Sequence, residues 1–174
     1  MANMFLVITK QDGSNVQGES VDTQFNSPPA IEVLSWAWGE SYPGTYGQNK
    51  GGGGTQGVSM NDMSFTMGVC SASTDLMNCC ANGTVFSSAV LSSRKAGGGP
   101  GGGQYVYLVI TLNNALVSSY QTGGSDGGSP IDSFTLNYET ISVQYSTQDS
   151  ASGNVNQVSP SFSWNLSQTG PQSH

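Results

Sequence analysis

Few of the residue types that carry enzymatic chemistry occur in this sequence of 174 residues. Its only histidine is His174, at the C-terminal end, so the serines have no internal imidazole to act as a general base. The three cysteines, Cys70, Cys79 and Cys80, cannot all pair within one chain, and a bridge between the adjacent two would be strained. The sequence therefore predicts reduced thiols, with neither a catalytic triad nor a zinc site.

Carboxylates and glycines are more plentiful, but neither forms a recognisable catalytic pattern. Paired carboxylates can cleave a glycosidic bond, so a small hydrolase is kept as a less favoured alternative. The acids considered for it are Glu19, Asp22, Glu32, Glu40, Asp62, Asp126, Asp132, Glu139 and Asp149. Lys50 precedes its run of glycines, whereas a phosphate-binding loop has its lysine after them. We therefore predict a protein that is not an enzyme and binds no cofactor.

The charge balance argues against nucleic acid and membranes as partners. The net charge is −7, and Lys10, Lys50, Arg94 and Lys95 are the only basic residues, too few to neutralise a phosphate backbone. The apolar run at residues 4–8 is too short for a signal peptide or a membrane span, which predicts a product made in the cytosol. Charged residues make up only 9% of the chain, and such a surface suits packing against copies of itself.

Tryptophans are the side chains with the clearest spacing. Trp36 and Trp38 lie two residues apart, and Trp164 alternates with Phe162 and Leu166, so each set falls on one face of a strand. Aromatic residues on a sheet face can bind sugars, and a sugar-binding β-sandwich module remains an alternative. Large aromatics at this period more often fill a core or a subunit contact. We predict that role for Trp36, Trp38 and Trp164, and also for Phe65.

The elements that must position these side chains are mainly strands. Segments with a period of two are separated by Gly, Pro, Asn and Ser at residues 4–9, 31–38, 58–67, 85–94, 105–112, 115–122, 134–145 and 161–166. The alternation changes phase near Asn61 or Asp62 and again near Glu139, which predicts bulges there. The fold class is therefore all-β, a single domain over residues 1–174 built as a β-barrel or two-sheet sandwich.

One short helix is predicted over residues 73–82. Ser73 can act as its N-cap and Gly83 as its C-terminal stop, and Leu76, Met77 and Cys80 then share one face. Three Gly-rich connections interrupt the strands, at residues 39–57, 97–103 and 123–128. The first is unusually long for a compact domain, and loops of that length are commonly functional or disordered.

A series of short motifs runs through nearly the whole chain in one order. The motifs are VQGES from residue 16, IEVLSWAWG from 31, VSMNDMSFTM from 58, RKAG from 94, YLVITLN from 107, LVSS from 116, TGGS from 122, FTLNY from 134 and SWN from 163. In this order the sequence resembles the Hcp family, the tail-tube subunits of type VI secretion systems. No single one of these motifs is diagnostic.

The resemblance implies a structural, non-enzymatic subunit similar in fold to phage tail-tube proteins. It implies hexameric rings that stack into the inner tube of a contractile injection apparatus, assembled in the bacterial cytoplasm and secreted when a sheath contracts. The implied partners are further copies, a VgrG-type spike, the contractile sheath and small effector proteins in the lumen. A related contractile particle could use the same subunit.

The resemblance also assigns a role to the long connection at residues 39–57, because in the family the corresponding loop reaches the next ring. The residues expected to stack the rings are Gly39, Tyr42, Tyr46, Gln48, Asn49, Lys50, Gly51, Gly52, Gly53 and Gly54. A chain so poor in Lys and Glu would stack through backbone and neutral contacts rather than ion pairs.

Net charge suggests two alternatives for the lumen of such a ring. Six copies of a chain with a charge of −7 would repel one another if their acids lay mainly between rings, which favours an acidic lumen. The alternative is a lumen lined by Ser, Thr, Asn and Gln, with the acids on the outside.

Overall fold

The computed structural model describes residues 3–42, 58–97, 103–148, 154–158 and 161–167. Within them lie eleven strands and one helix. In chain order these are β1 (Met4–Lys10), β2 (Ile31–Ala37), β3 (Glu40–Ser41), β4 (Ser59–Met60), β5 (Met63–Gly68), α1 (Ala72–Asn82), β6 (Val85–Ala96), β7 (Gln104–Gly123), β8 (Ile131–Asn137), β9 (Thr140–Gln148), β10 (Val155–Gln157) and β11 (Phe162–Asn165).

Six antiparallel strands close into a barrel in the order β7, β6, β1, β2, β5 and β8. The barrel closes because β8 pairs with β5 on one side and with the second half of β7 on the other. The first half of β7 instead carries β9, whose far edge pairs with both β10 and β11. The predicted all-β barrel with one short helix is confirmed.

The long strand β7 differs from the sequence prediction, which divided it into two strands at Asn113 and Asn114. Asn113 pairs with Ser88 on one side and with Thr140 on the other, so the ladder continues through the expected break. Asn114 adopts a φ of 48°, and its side-chain amide donates a hydrogen bond to Glu139 at 2.5 Å. Asparagine tolerates this left-handed conformation, so β7 continues through Asn114 although the local sequence is typical of a turn.

The two predicted bulges are breaks between strands. Asn61 and Asp62 separate β4 from β5, and Tyr138 and Glu139 separate β8 from β9. At the first break the partners change, because β4 pairs with β3 whereas β5 pairs with β2 and β8. At the second break both strands pair with β7, β8 with its second half and β9 with its first half. Register shifts occur elsewhere, among them one between Val117 and Ser119 of β7.

The helix begins slightly earlier than predicted. Ser71 occupies the N-cap position instead of Ser73, whose side chain is buried in the first turn. Gly83 ends the helix with a φ of 63°, as predicted from its type. Leu76 is buried, whereas Met77 is exposed, so the buried face is rotated from the predicted stripe toward Ala72 and Cys79.

One contiguous hydrophobic cluster fills the barrel and includes the helix. Leu6, Phe65, Phe134 and Leu136 contribute from strands, and Leu76 contributes from α1. In the described chain α1 is the sole helix, and it is neither long enough nor apolar enough to cross a membrane.

Gly18 lies early in the connection between β1 and β2, close against Pro29 and Ala30 at the end of the same connection. Its N–H donates to the Pro29 carbonyl at 2.9 Å, and a Cβ atom at this position would overlap the carbonyl group of Ala30. We therefore expect Gly18→Ala to lower the free energy of unfolding by about 1 to 3 kcal/mol, as overpacking does. Gly68→Ala is the matched control, since open space surrounds Gly68 and its change should stay within about 1 kcal/mol. Equal urea midpoints for both variants would contradict the packing argument.

Candidate assembly surfaces

The base of the long connection at residues 39–57 is a short two-stranded ladder. Glu40 pairs with Met60 and Ser41 with Ser59, so β3 and β4 hold the two ends of the connection side by side. The Asn61 N–H donates to the Gly39 carbonyl at 3.0 Å, just beyond the ladder. The paired strands β3 and β4, which we call the loop base, therefore fix where the long connection leaves and rejoins the barrel.

A partly buried chain of hydrogen bonds holds this base on the barrel. The indole N–H of Trp38 donates to the Tyr138 hydroxyl at 2.5 Å, and that hydroxyl donates to the Asn61 carbonyl at 3.0 Å. The Trp38 ring also lies 5.9 Å from the ring of Phe162 on β11. Burial raises the pKa of Tyr138, so its hydroxyl remains a proton donor at neutral pH. The chain connects β2, the start of β5 and the segment after β8.

Asp62 adds a second connection from the same base to the barrel. Its two carboxylate oxygens accept hydrogen bonds from the Ser118 hydroxyl at 2.6 Å and from the Asn137 side-chain amide at 2.8 Å. These donors lie on β7 and β8, so the carboxylate joins the segment between β4 and β5 to both of those strands. Asp62 was considered as a hydrolase acid, but both its oxygens are engaged in structural bonds.

Of the residues expected to stack rings, Gly39 and Tyr42 lie in the described part of the chain. Tyr42 is 69% exposed and so is available for contact. The remainder of the predicted set, Tyr46, Gln48, Asn49, Lys50, Gly51, Gly52, Gly53 and Gly54, lies outside the described residues.

The four predicted core or interface aromatics occupy two environments. Phe65 is 2% exposed and belongs to the core cluster. Trp36, Trp38 and Trp164 are half-buried and pack against that cluster from its edge. Trp36 pairs with Phe65 across β2 and β5, and Trp164 pairs with Ile141 across β11 and β9.

An arginine latch, which sequence reasoning missed, holds the connection at residues 11–30 against the barrel. The Arg94 guanidinium donates to both carboxylate oxygens of Asp22, at 3.0 and 2.6 Å, and lies 4.6 Å from the centre of the Phe5 ring. Phe25 stacks on Phe5 with ring centres 4.4 Å apart. The Arg94 hydrogen bonds hold the pKa of Asp22 below its ordinary value. Arg94 belongs to the RKAG motif and could have been singled out from it, but nothing in that motif indicates Asp22 as its partner.

The described residues hold little that could act as a nucleophile or bind a metal. They contain no group of three His, Cys, Asp or Glu side chains arranged to hold an ion. Cys70, Cys79 and Cys80 are free, and burial raises the pKa of Cys70 and Cys79, which keeps both as thiols at neutral pH.

The Tyr138 hydroxyl should carry a measurable part of the stability of the loop base. We expect Tyr138→Phe to lower the free energy of unfolding by about 1 to 3 kcal/mol, because the Trp38 N–H and the Asn61 carbonyl both lose their partner. Tyr42→Phe is the control, since Tyr42 is exposed and should change little. Denaturant titration followed by Trp fluorescence measures both. A loss in Tyr138→Phe no larger than that of the control would show that this chain of hydrogen bonds does not hold the base.

Comparison with known proteins identifies relatives of the whole fold. The model of the family described as "Type VI secretion system effector, Hcp" matches residues 5–145. Protein hcp1 of Pseudomonas aeruginosa is 38% identical over 155 residues, which cover 88% of this chain and 91% of the relative.

Solved structures agree with the sequence matches. A type six secretion system protein has a TM-score of 0.78 at 25% identity, covering 95% of this chain and 96% of its own. Hcp1 from Salmonella typhimurium has a TM-score of 0.68 at 26% identity, with 96% of each chain covered. The resemblance predicted from the order of the motifs is thereby confirmed, and the chain belongs to the Hcp family of type VI secretion proteins.

Proposed function

We propose that the chain is a structural subunit that forms hexameric rings, and that the rings stack into the inner tube of a type VI secretion apparatus. The observation that carries this proposal is the Hcp family match over residues 5–145, since Hcp proteins are the tube-forming proteins of type VI secretion. The identity to Hcp1 of Pseudomonas aeruginosa extends over most of both chains, which supports transfer of the role to the whole domain.

The barrel suits a subunit that assembles head to tail, with one surface of each copy against a different surface of the next. Its six strands leave no unpaired edge among themselves, whereas the β9, β10 and β11 extension includes β10, all three residues of which are exposed. A head-to-tail contact between two different surfaces closes into a ring when the rotation between subunits allows it. The small share of charged residues lowers the desolvation cost of such contacts.

Partners and localisation follow from the same role. The tube is proposed to carry a VgrG-type spike at its tip, to lie within a contractile sheath and to hold small effector proteins in its lumen. Assembly would occur in the bacterial cytoplasm and secretion would follow sheath contraction. A related contractile particle would use the subunit in the same way.

The alternatives receive less support from the geometry. A sugar platform needs exposed ring faces, but Trp36 and Trp38 pack against the core and the indole N–H of Trp38 is bonded to Tyr138. A hydrolase needs free carboxylates, whereas Asp22, Asp62 and Asp132 all hold structural hydrogen bonds. We therefore propose a passive conduit without catalytic activity.

The long connection is proposed to stack the rings. Deleting residues 48–55 should leave ring formation intact but abolish long tubes, because the contact to the next ring is lost while the β3–β4 base remains. A control removes residues 99–102 from a second glycine-rich connection, the one between β6 and β7. Electron micrographs of both variants measure ring and tube lengths. Long tubes from the first deletion would contradict the stacking role.

Secretion from the producing bacterium tests the function as a whole. The chain should appear in the culture medium of a strain with a contractile sheath and stay in the cells of a strain that lacks the sheath. Complementation with the sheath gene should restore release. Equal release from both strains would contradict export by contraction.

A further inference from the structure

The last strand of the described chain, β11, lies against the same aromatic residue that holds the loop base. Phe162, the first residue of β11, has its ring 5.9 Å from the ring of Trp38, at an angle of 51°. Trp38 donates its indole N–H to the Tyr138 hydroxyl, which in turn donates to the Asn61 carbonyl. One aromatic contact therefore joins β11 to the hydrogen bonds that hold the loop base on the barrel.

A second contact joins β11 to the residue that follows Tyr138. The Leu166 N–H donates to the Glu139 carbonyl at 2.8 Å, just beyond the last pair of the ladder between β11 and β9. The Glu139 N–H in turn donates to the Asn113 carbonyl of β7 at 3.1 Å. The short connection between β8 and β9 is thus held by β11 on one side and by β7 on the other, and it carries the hydroxyl to which Trp38 is bonded.

The strand β11 is itself weakly held. It has four residues, and within the described chain it pairs with β9 alone. Phe162 and Trp164 are half-buried against the core cluster, whereas Ser163 between them is exposed. Short elements with few buried apolar contacts open more readily than the strands of a core. We therefore expect β11 to detach from β9 far more often than the barrel unfolds.

Detachment of β11 would uncover the Trp38 ring and the Glu139 carbonyl together. Water that reaches the hydrogen bond between Trp38 and Tyr138 weakens it, because a hydrogen bond is stronger in the low dielectric of a protein interior. The Asn61 carbonyl depends on the same hydroxyl, and the Asn61 N–H donates to the Gly39 carbonyl at the start of the long connection. A change at β11 therefore reaches both ends of that connection.

We propose that β11 is a clamp for the loop base, so that the long connection keeps its stacking geometry only while β11 is paired with β9. This inference rests on the proposed stacking of rings. The contact between Phe162 and Trp38 determines how firmly β3 and β4 are held, and loss of β11 pairing loosens one ring from the next. Phe162 is thus a positioning residue for the stacking contact and not a part of it.

Hydrogen exchange measured by mass spectrometry tests the clamp without requiring tubes. Phe162→Ala removes the ring beside Trp38, and Leu166→Ala is the matched control, because it truncates an apolar side chain that is 41% exposed just after β11. In Phe162→Ala we expect peptides that include residues 59–62 to exchange about 10-fold faster than in the parent protein, and in the control to exchange at the parent's rate. Peptides that include residues 88–91, where β6 pairs with both β1 and β7, should be unchanged in both variants.

The reverse effect gives a second test, because coupling between two sites is reciprocal. Tyr138→Phe, which breaks the hydrogen bonds at the loop base, should speed the exchange of peptides that include residues 162–166, whereas the exposed control Tyr42→Phe should not. If the alanine variant does not fold, Phe162→Leu takes its place. Exchange in either test no faster than in its control would overturn the clamp, as would equal acceleration at residues 88–91.

Electron micrographs of the same variants separate the clamp from the proposed function. Phe162→Ala should form rings but lose the long tubes that Leu166→Ala still forms. Long tubes from a variant whose loop base exchanges fast would overturn the control of stacking by β11. A parent protein that forms no rings would instead contradict the proposed function, and with it the stacking role of the clamp, whereas the exchange coupling between β11 and the loop base would stand.

Discussion

Replacing Phe65 with Ala should lower the free energy of unfolding by about 3 to 5 kcal/mol, the cost of removing a buried aromatic ring and leaving a cavity. Phe65 is 2% exposed and its ring lies 5.2 Å from that of Phe134 across β5 and β8. Since whole domains have only about 5 to 15 kcal/mol of stability, this variant should be close to unfolding at 37 °C. Urea titration measures the loss.

Trp36→Ala is the matched comparison, because Trp36 pairs directly with Phe65 but lies half-buried at the edge of the core. Its loss should be about half as large, since the stabilisation scales with the apolar area removed from water. A Trp36 variant as unstable as the Phe65 variant would show that Trp36 contributes as much to the core as a fully buried residue, which its partial exposure does not indicate.

Asp132→Asn should be the most destabilising polar change. Asp132 is fully buried and accepts hydrogen bonds at 2.5 Å from both the Ser73 and Tyr120 hydroxyls, joining α1 to β7 and β8. We expect a loss of about 2 to 3 kcal/mol at neutral pH, because hydrogen bonds to a charged group are worth more than those to a neutral one. Tyr120→Phe, which removes one of the two donors, should cost about half as much.

The same network predicts a pH dependence. Burial by itself raises the pKa of Asp132, but side-chain hydrogen bonds from Ser73, Thr122 and Tyr120 together outweigh it and hold the pKa below its ordinary value. A lowered pKa in the folded state adds stability that is complete above about pH 4 and is lost as the pH falls through the folded value. The difference between the parent protein and Asp132→Asn should therefore be constant from about pH 5 to 8 and shrink in acid. A difference that grows in acid would contradict the ionised network.

The barrel could be predicted from sequence where local pattern and tertiary pairing agree. Phe134 and Leu136 alternate with polar residues, and they form part of the core as that alternation indicates. Gly83 follows the helix and adopts the left-handed conformation that glycine allows. The family could also be predicted from the sequence, because many weak motifs occur in one order along the chain.

Predictions failed where a distant partner decides the local structure. Asn113 and Asn114 resemble a turn, but neighbouring strands on both sides keep β7 continuous through them. Ser73 has the chemistry of an N-cap, yet Asp132 takes its hydroxyl into the core. The Asp22 and Arg94 latch joins residues far apart in the chain, and no spacing rule indicates such a pair.

The mass of the purified protein in solution tests the central claim most directly. Native mass spectrometry at micromolar concentration should show a single assembly of about 108 kDa, six copies of the 18.0-kDa chain, and negative-stain images should show closed rings with a central hole. A species at 18.0 kDa under the same conditions, or an assembly without a central hole, would contradict the proposal that this chain is a tube subunit.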